Sequence, residues 1–201
     1  MKAFTLTQKD ILELKYWLSC DLEEERQKNL RYVSGPVGTV RVTTNSQILE
    51  IGTGPLWGVL PHYPEARRSV AIDPLIDVYY AAGILAERGD IQYFSEDFIT
   101  WDTNDKFDAI FCLNALDHGA MGFHLLPKIA NLLAPGGKLA LHVHLRAPEQ
   151  LNLIHDHCLT EEQLQRNLRN TDLIPDYYRL IDRDEEPPRC PAILGIWRKP
   201  E

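Results

Sequence analysis

Glu50-Ile51-Gly52-Thr53-Gly54 sets an acid two residues ahead of a pair of glycines, and Asp73 follows 21 residues after Gly52. Glycines at a strand end let the chain turn sharply and let a ligand come close to the backbone. A carboxylate at the separation of Asp73 can accept hydrogen bonds from both hydroxyls of an adenosine ribose. In the order strand, glycine loop, helix, strand, acid, these residues point to a nucleoside-cofactor site. A dinucleotide needs a third glycine three residues after the second, where Trp57 stands, and no GxxxxGK[ST] phosphate loop occurs. Glu50 is expected to aim negative charge at the turn, which would repel phosphate and suit an ammonium or a sulfonium.

The histidines offer proton chemistry. His118 follows the fourth strand, where a parallel sheet opens its ligand crevice, and a neutral imidazole there can take a substrate proton. His142 and His144 share one face of the fifth strand, with His144 about 6.6 Å nearer the crevice and the better candidate. His155-Asp156-His157-Cys158 adds a second pair. A metal on His144, His155 or His157 has no recognised ligand spacing to support it, so the expectation is a substrate-binding rim and no metal. Arg146 is read as a holder of an acidic substrate group or as a surface salt bridge, and Trp57, Tyr79 and Tyr80 as packing residues.

These residues require an alternating scaffold. Thr7 to Arg31 carries apolar residues at helical spacing and reads as one or two amphipathic helices, closed by the Ser34–Gly38 turn. Strands are expected at 48–51, 70–73, 91–94, 107–113 and 138–144, with helices over 76–88 and 123–133. That order makes a βαβ series and a parallel sheet. Thr160-Glu161-Glu162-Gln163 is a capping-box pattern for one more helix. Runs 177–182 and 192–197 then have too short a link for a crossover, so they should pair antiparallel. Residues 1–45 are expected to form a helical cap or arm and 46–201 one compact unit.

The chain of 201 residues carries 21 Lys and Arg against 29 Asp and Glu, a net charge of -8. That sign argues against a broad grip on phosphate backbones, and nucleic acid is a disfavoured partner. With 44% apolar residues the chain can fill a core, which excludes disorder throughout. Four cysteines without CxxC spacing, and no signal-like or membrane-spanning stretch, fit a reduced cytoplasmic setting. A homodimer is the default oligomer.

Over roughly residues 46 to 198 the sequence resembles the class I S-adenosylmethionine-dependent methyltransferases. Glu50-x-Gly52-x-Gly54 is similar to the first motif of that family, Ala71-Ile72-Asp73-Pro74 to the second, and Ser95-Glu96-Asp97-Phe98 to the acid and apolar pair after strand three. Residues 107–118 resemble its fourth-strand motif, and Leu132-Leu133-Ala134-Pro135-Gly136-Gly137-Lys138-Leu139 its lead into strand five. The resemblance implies a Rossmann-like α/β fold, a seven-stranded, mostly parallel sheet with an antiparallel last strand, helices on both faces and an N-terminal cap. It implies S-adenosyl-L-methionine as cofactor, with Glu50, Gly52, Thr53 and Gly54 around the methionine part, Asp73 and Pro74 at the ribose, Asp97 and Phe98 at the adenine, and Asn114 at the sulfonium side. The usual third glycine falls at Leu56, with Gly58 two residues later, which implies a wider loop.

Methyl transfer from a sulfonium needs an aligned nucleophile, and a base only where the acceptor holds a proton. For a hydroxyl acceptor His118 or His144 would be that base. The motifs of base amino-group methylases and a Pro-Cys nucleophile are absent, which favours a small metabolite, saccharide or lipid-linked acceptor and O-methyl transfer. Two other functions stand beside this one: a non-catalytic S-adenosylmethionine-binding module or partner subunit, and an NAD-dependent dehydrogenase, which the missing glycine and the final antiparallel pair both oppose.

Overall fold

The computed structural model describes residues 5–86, 88–118, 121–155, 158–181 and 190–201. His157, half of the second histidine pair, lies outside the described residues. Seven strands form one sheet: β1 (Gln47–Ile51), β2 (Arg68–Ile72), β3 (Ile91–Phe94), β4 (Phe107–Leu113), β5 (Leu133–His144), β6 (Ile174–Ile181) and β7 (Ala192–Arg198). Their spatial order is β3-β2-β1-β4-β5-β7-β6. All neighbours are parallel except that β7 runs antiparallel to both β5 and β6, so a single reversed strand sits between two parallel ones. The expected pairing of the last two strands and the mostly parallel sheet are both present.

Alternation along the central strands fills two cores. Leu49, Ile51, Val70, Ile72, Ile110, Cys112, Leu139, Leu141 and Val143 point to one face and pack against α4 (Leu126–Leu132) and α5 (Glu161–Leu168). Ile48, Ala71, Ala109, Phe111, Leu113 and Ala140 point to the other, where Tyr32, Val33, Val37 and Tyr63 cover them. Burying a Leu, Ile or Phe side chain contributes about 1.5–3 kcal/mol, so these two layers dominate the stability. The α5 capping box forms as its sequence predicts: the Gln163 amide donates to Thr160 Oγ1 at 3.2 Å, and the Thr160 amide to Gln163 Oε1 at 2.8 Å.

The N-terminal run divides into α1 (Gln8–Ser19) and α2 (Leu22–Ser34), each started by a side-chain cap, Thr7 with Asp10 for the first and Asp21 for the second. Neither helix has a fully buried residue, and Tyr16, Leu18 and Leu30 stay exposed.

Three elements differ from expectation. No α-helix joins β1 to β2; that link holds only two short 3-10 turns, Gly54–Leu56 and Leu60–His62. Pro55, Pro61 and Pro64 withhold amide donors there, and Trp57 and Gly58 adopt left-handed backbone, which no α-helix tolerates. The helix expected over 76–88 is one short segment, α3 (Ile76–Ala81), ended at left-handed Gly83. Tyr79 on it is a packing residue, but Tyr80 is 74% exposed and packs on nothing central. The helix expected over 123–133 is a 3-10 turn and α4, because Leu133 already pairs with Phe107 as the start of β5.

Candidate active site

The carboxyl ends of β1, β2 and β4 meet at one crevice. At the first, Gly54 takes φ +59°, and the two oxygens of Asp73 at the second accept from the Gly54 amide at 3.0 Å and the Leu75 amide at 2.9 Å. Asp73 is 8% exposed. Burial raises its pKa above the ordinary carboxylate value, opposed by the two amide bonds and assisted by the charge of Asp10. Thr53 is buried beside it, and Pro74 is exposed at the rim.

Glu50, expected to present charge to a cationic ligand, does not. Its carboxyl turns under the loop, where Oε2 accepts from the amides of Val59 at 2.8 Å and Leu60 at 3.2 Å. Full burial pushes its pKa up to about 8 against the pull of those bonds, so it carries a proton at neutral pH. A β-carbon at Gly58, which has φ +52°, would collide with this carboxyl, so the third glycine of the loop makes room for Glu50.

The N-terminal helices lie over the crevice. The Trp17 indole of α1 covers Gly54 so closely that a β-carbon there would stand 2.8 Å from Cζ2, and the same ring meets Tyr79 edge-on at 6.4 Å. Glu13, one turn earlier, accepts from Trp17 Nε1 at 3.0 Å. Burial raises the Glu13 pKa, with the Trp17 bond lowering it and Asp73 raising it. From α2, the Tyr32 hydroxyl lies 3.0 Å from His142 Nδ1 and accepts from Asn114 Nδ2 at 2.8 Å. Asn114 holds left-handed backbone at φ +55° just past β4, a conformation Asn tolerates better than other non-glycine residues. Cap, fourth strand and fifth strand are thus tied by one polar group.

Three residues beyond Asn114, Asp117 is 0% exposed and His118 half-buried above it. His118 Nδ1 is 3.8 Å from Glu13 Oε2, and its Nε2 is 3.8 Å from Asp117 Oδ1. Asp117 Oδ2 takes the Arg146 Nε at 3.1 Å and has His155 Nδ1 at 3.0 Å. Burial alone would raise the Asp117 pKa, but His155, His118 and Arg146 outweigh it and hold the carboxyl well below its usual range. Arg146 is therefore no surface cation. It is 7% exposed and committed to Asp117.

Among the other anticipated residues, Asp97 is exposed and caps its own turn by accepting from the Ile99 amide at 2.9 Å. Phe98 is buried, with the Lys128 ammonium 4.9 Å from its ring centre. His144 lies on the face of His142, the two rings 5.2 Å apart, and is 8% exposed. Sequence reading missed Trp17, Glu13, Tyr32 and Asp117. The first three sit on helices with no motif, and only Asp117, directly before His118, stood in a stretch already singled out.

No protein-family model and no curated protein sequence matches the chain. Solved structures do. The N-methyltransferase NodS from Bradyrhizobium japonicum WM9 superposes with a TM-score of 0.66 at 18% identity, over 88% of this chain and 97% of that one. Its complex with S-adenosyl-L-homocysteine gives a TM-score of 0.65 at 20% identity, over 91% and 90%. A chain of the complex between the Haloferax volcanii Trm112 methyltransferase activator and a candidate methyltransferase gives 0.71 at 15% identity, over 98% and 100%. The [4+2]-cyclase SpnF, at 0.60 and 16% identity over 87% and 80%, has the same architecture. The strand order, the single reversed strand and these superpositions agree: the chain has the fold of the class I S-adenosylmethionine-dependent methyltransferases.

Proposed function

We propose that the protein is an S-adenosylmethionine-dependent methyltransferase acting on the oxygen of a small molecule. The observation that carries this reading is the Gly54 turn bonded to Asp73 across the ends of β1 and β2, in a sheet of this order. The residues present fit the cofactor. Asp73 retains acceptor capacity on both oxygens for ribose hydroxyls, and left-handed Gly54, with no β-carbon, keeps its backbone bare beneath the Trp17 ring. Gly52, Thr53 and Pro74 complete that wall, Asn114 faces it from β4, and Asp97 and Phe98 lie after β3 where an adenine would rest. Glu50 keeps the loop's shape from beneath. When bound, S-adenosylmethionine supplies an activated methyl group on a cationic sulfur.

The chain's own work is to position, dry and deprotonate. Residues 1–45 act as a cap on the single unit of 46–201, and closure of α1 excludes water from the crevice. The acceptor hydroxyl gives its proton to His118, which lies between Glu13 and Asp117. His144, nearer the end of β5 than His142 and with its ring 5.2 Å from that of His142, is the second candidate for that base. The acidic balance of the chain favours a small acceptor over nucleic acid, in the cytoplasm, with a homodimer as the working assembly.

A second reading, a cofactor-binding or partner subunit without turnover, draws on Trp17 seated on Gly54 and on the neighbour held with an activator protein. Thermal shift against S-adenosylmethionine, S-adenosylhomocysteine, NAD and NADP tests both. A ligand at about a hundred times its Kd adds about 2.7 kcal/mol to the folded state. Stabilisation by the two adenosyl-sulfur ligands alone supports the proposal; stabilisation by NAD or NADP overturns it. Methyl transfer from labelled cofactor to small hydroxylated acceptors then separates enzyme from binding subunit.

A further inference from the structure

We propose that Asp117, His118 and His155 bind a divalent transition-metal ion of the zinc class at the rim of the crevice. Each offers one ligand atom, and these atoms lie within 4.8 Å of one another. Metal bonds of about 2.0–2.2 Å place neighbouring ligand atoms roughly 3–4 Å apart. The separation of His118 Nε2 from Asp117 Oδ1, 3.8 Å, falls in that range, and His155 Nδ1 reaches the same carboxylate, 3.0 Å from its other oxygen. The imidazoles meet edge-on with centres 4.3 Å apart, so they converge on the carboxylate without stacking over each other.

A second observation is independent of this spacing. The Asp117 side chain is 1% exposed, yet among the described residues its Oδ1 accepts no hydrogen bond. Buried polar atoms are nearly always satisfied, so a bare oxygen on a fully buried carboxylate indicates a missing ligand. Arg146 accounts for the other oxygen: its Nε on Oδ2 fixes the carboxylate plane and leaves Oδ1 available. Arg146 also cancels the Asp117 charge, and Glu13, whose Oε2 lies 3.8 Å from His118 Nδ1, supplies a further carboxylate beside a cation.

Two imidazoles and one carboxylate suit zinc, iron, cobalt or nickel; magnesium and calcium prefer oxygen alone. Three protein ligands also leave a position open, the pattern of catalytic rather than structural sites. Ion binding itself does not rest on the methyl-transfer reading.

The test uses the full chain, stripped by chelator and free of adenosyl ligands. Zn2+ is titrated by calorimetry and Co2+ by visible absorption. The expected result is one Zn2+ per chain at micromolar Kd or tighter, and visible Co2+ ligand-field bands without the near-ultraviolet thiolate band. His118→Ala and His155→Ala should each weaken binding at least about tenfold, measured on variants whose ion-free form still melts cooperatively. No binding, a thiolate band, or undiminished binding in both variants overturns the proposal. Asp117→Asn adds a third ligand test where it folds; the two histidine variants stand without it. S-adenosylhomocysteine binding measured on the same samples keeps the two readings separate, since either affinity can fail without the other.

Discussion

The Asp73 carboxylate accepts the Gly54 amide at 3.0 Å, so the acid that ends β2 fixes the turn that ends β1. The two motifs are one mechanical unit, and the carboxylate that would hold a ribose also shapes the backbone beside it. Asp73→Ala should weaken S-adenosylhomocysteine at least about tenfold, because buried hydroxyls lose a charged partner and the turn loses its brace. Calorimetry checks this. Unchanged affinity in a folded variant would sink the ribose assignment.

Trp17 occupies the space above Gly54, which a bound cofactor must share. Binding then requires the Trp17 ring to move aside, and apparent affinity is reduced by the fraction of molecules in which it has. Trp17→Ala should speed association of S-adenosylhomocysteine several-fold in stopped-flow fluorescence. A slower association would make Trp17 part of the binding surface rather than a plug.

Glu50 gives a pH dependence of definite sign. Its pKa in the folded chain is about 8, against 4.5 as the ordinary value, so folding takes up a proton between those limits. Its stabilising contribution is complete below about pH 4.5, falls as pH rises through the window and levels off above about 8. The wild-type melting midpoint should decline over that span, and Glu50→Gln, which keeps an acceptor for the Val59 and Leu60 amides, should flatten the decline. Equal slopes for the two proteins would refute a neutral Glu50.

His118→Ala should lower turnover on a hydroxyl acceptor by about 10²–10⁴-fold, the usual worth of a positioned base, with cofactor affinity near wild type. Added imidazole should restore part of the rate. Full activity without rescue would take the proton from His118 to another group.

Most of the scaffold was legible because its signals are local. The βαβ periodicity, the Thr160 capping box and the two closing strands each occupy a few consecutive residues. The link after Gly54 was misread as a helix because a motif suggested one, while Pro55, Pro61 and Pro64 argued against it. The site was half legible. Gly54 and Asp73 announce themselves by spacing, but Glu13 and Trp17 reach the crevice from a helix 40 residues away, and no periodicity encodes which face of a cap is turned inward. Arg146 looked like a lone surface cation because its partner, Asp117, is 29 positions distant in sequence.

The missing helix between β1 and β2 bears on which charge the crevice favours. In many nucleotide-binding proteins a helix begins at this turn and turns the positive end of its dipole, about half an elementary charge, toward the ligand. Here two 3-10 turns stand in that place and supply no such pole. The local potential falls instead to Asp73 and Glu13, which lie within electrostatic reach of each other. A polyanion finds neither pole nor cation at this turn, whereas a ligand with a positive centre meets Asp73 and Glu13. Transfer of a methyl group from a sulfonium erases that positive centre, so the same acids would grip the spent cofactor less than the fresh one and favour its exchange.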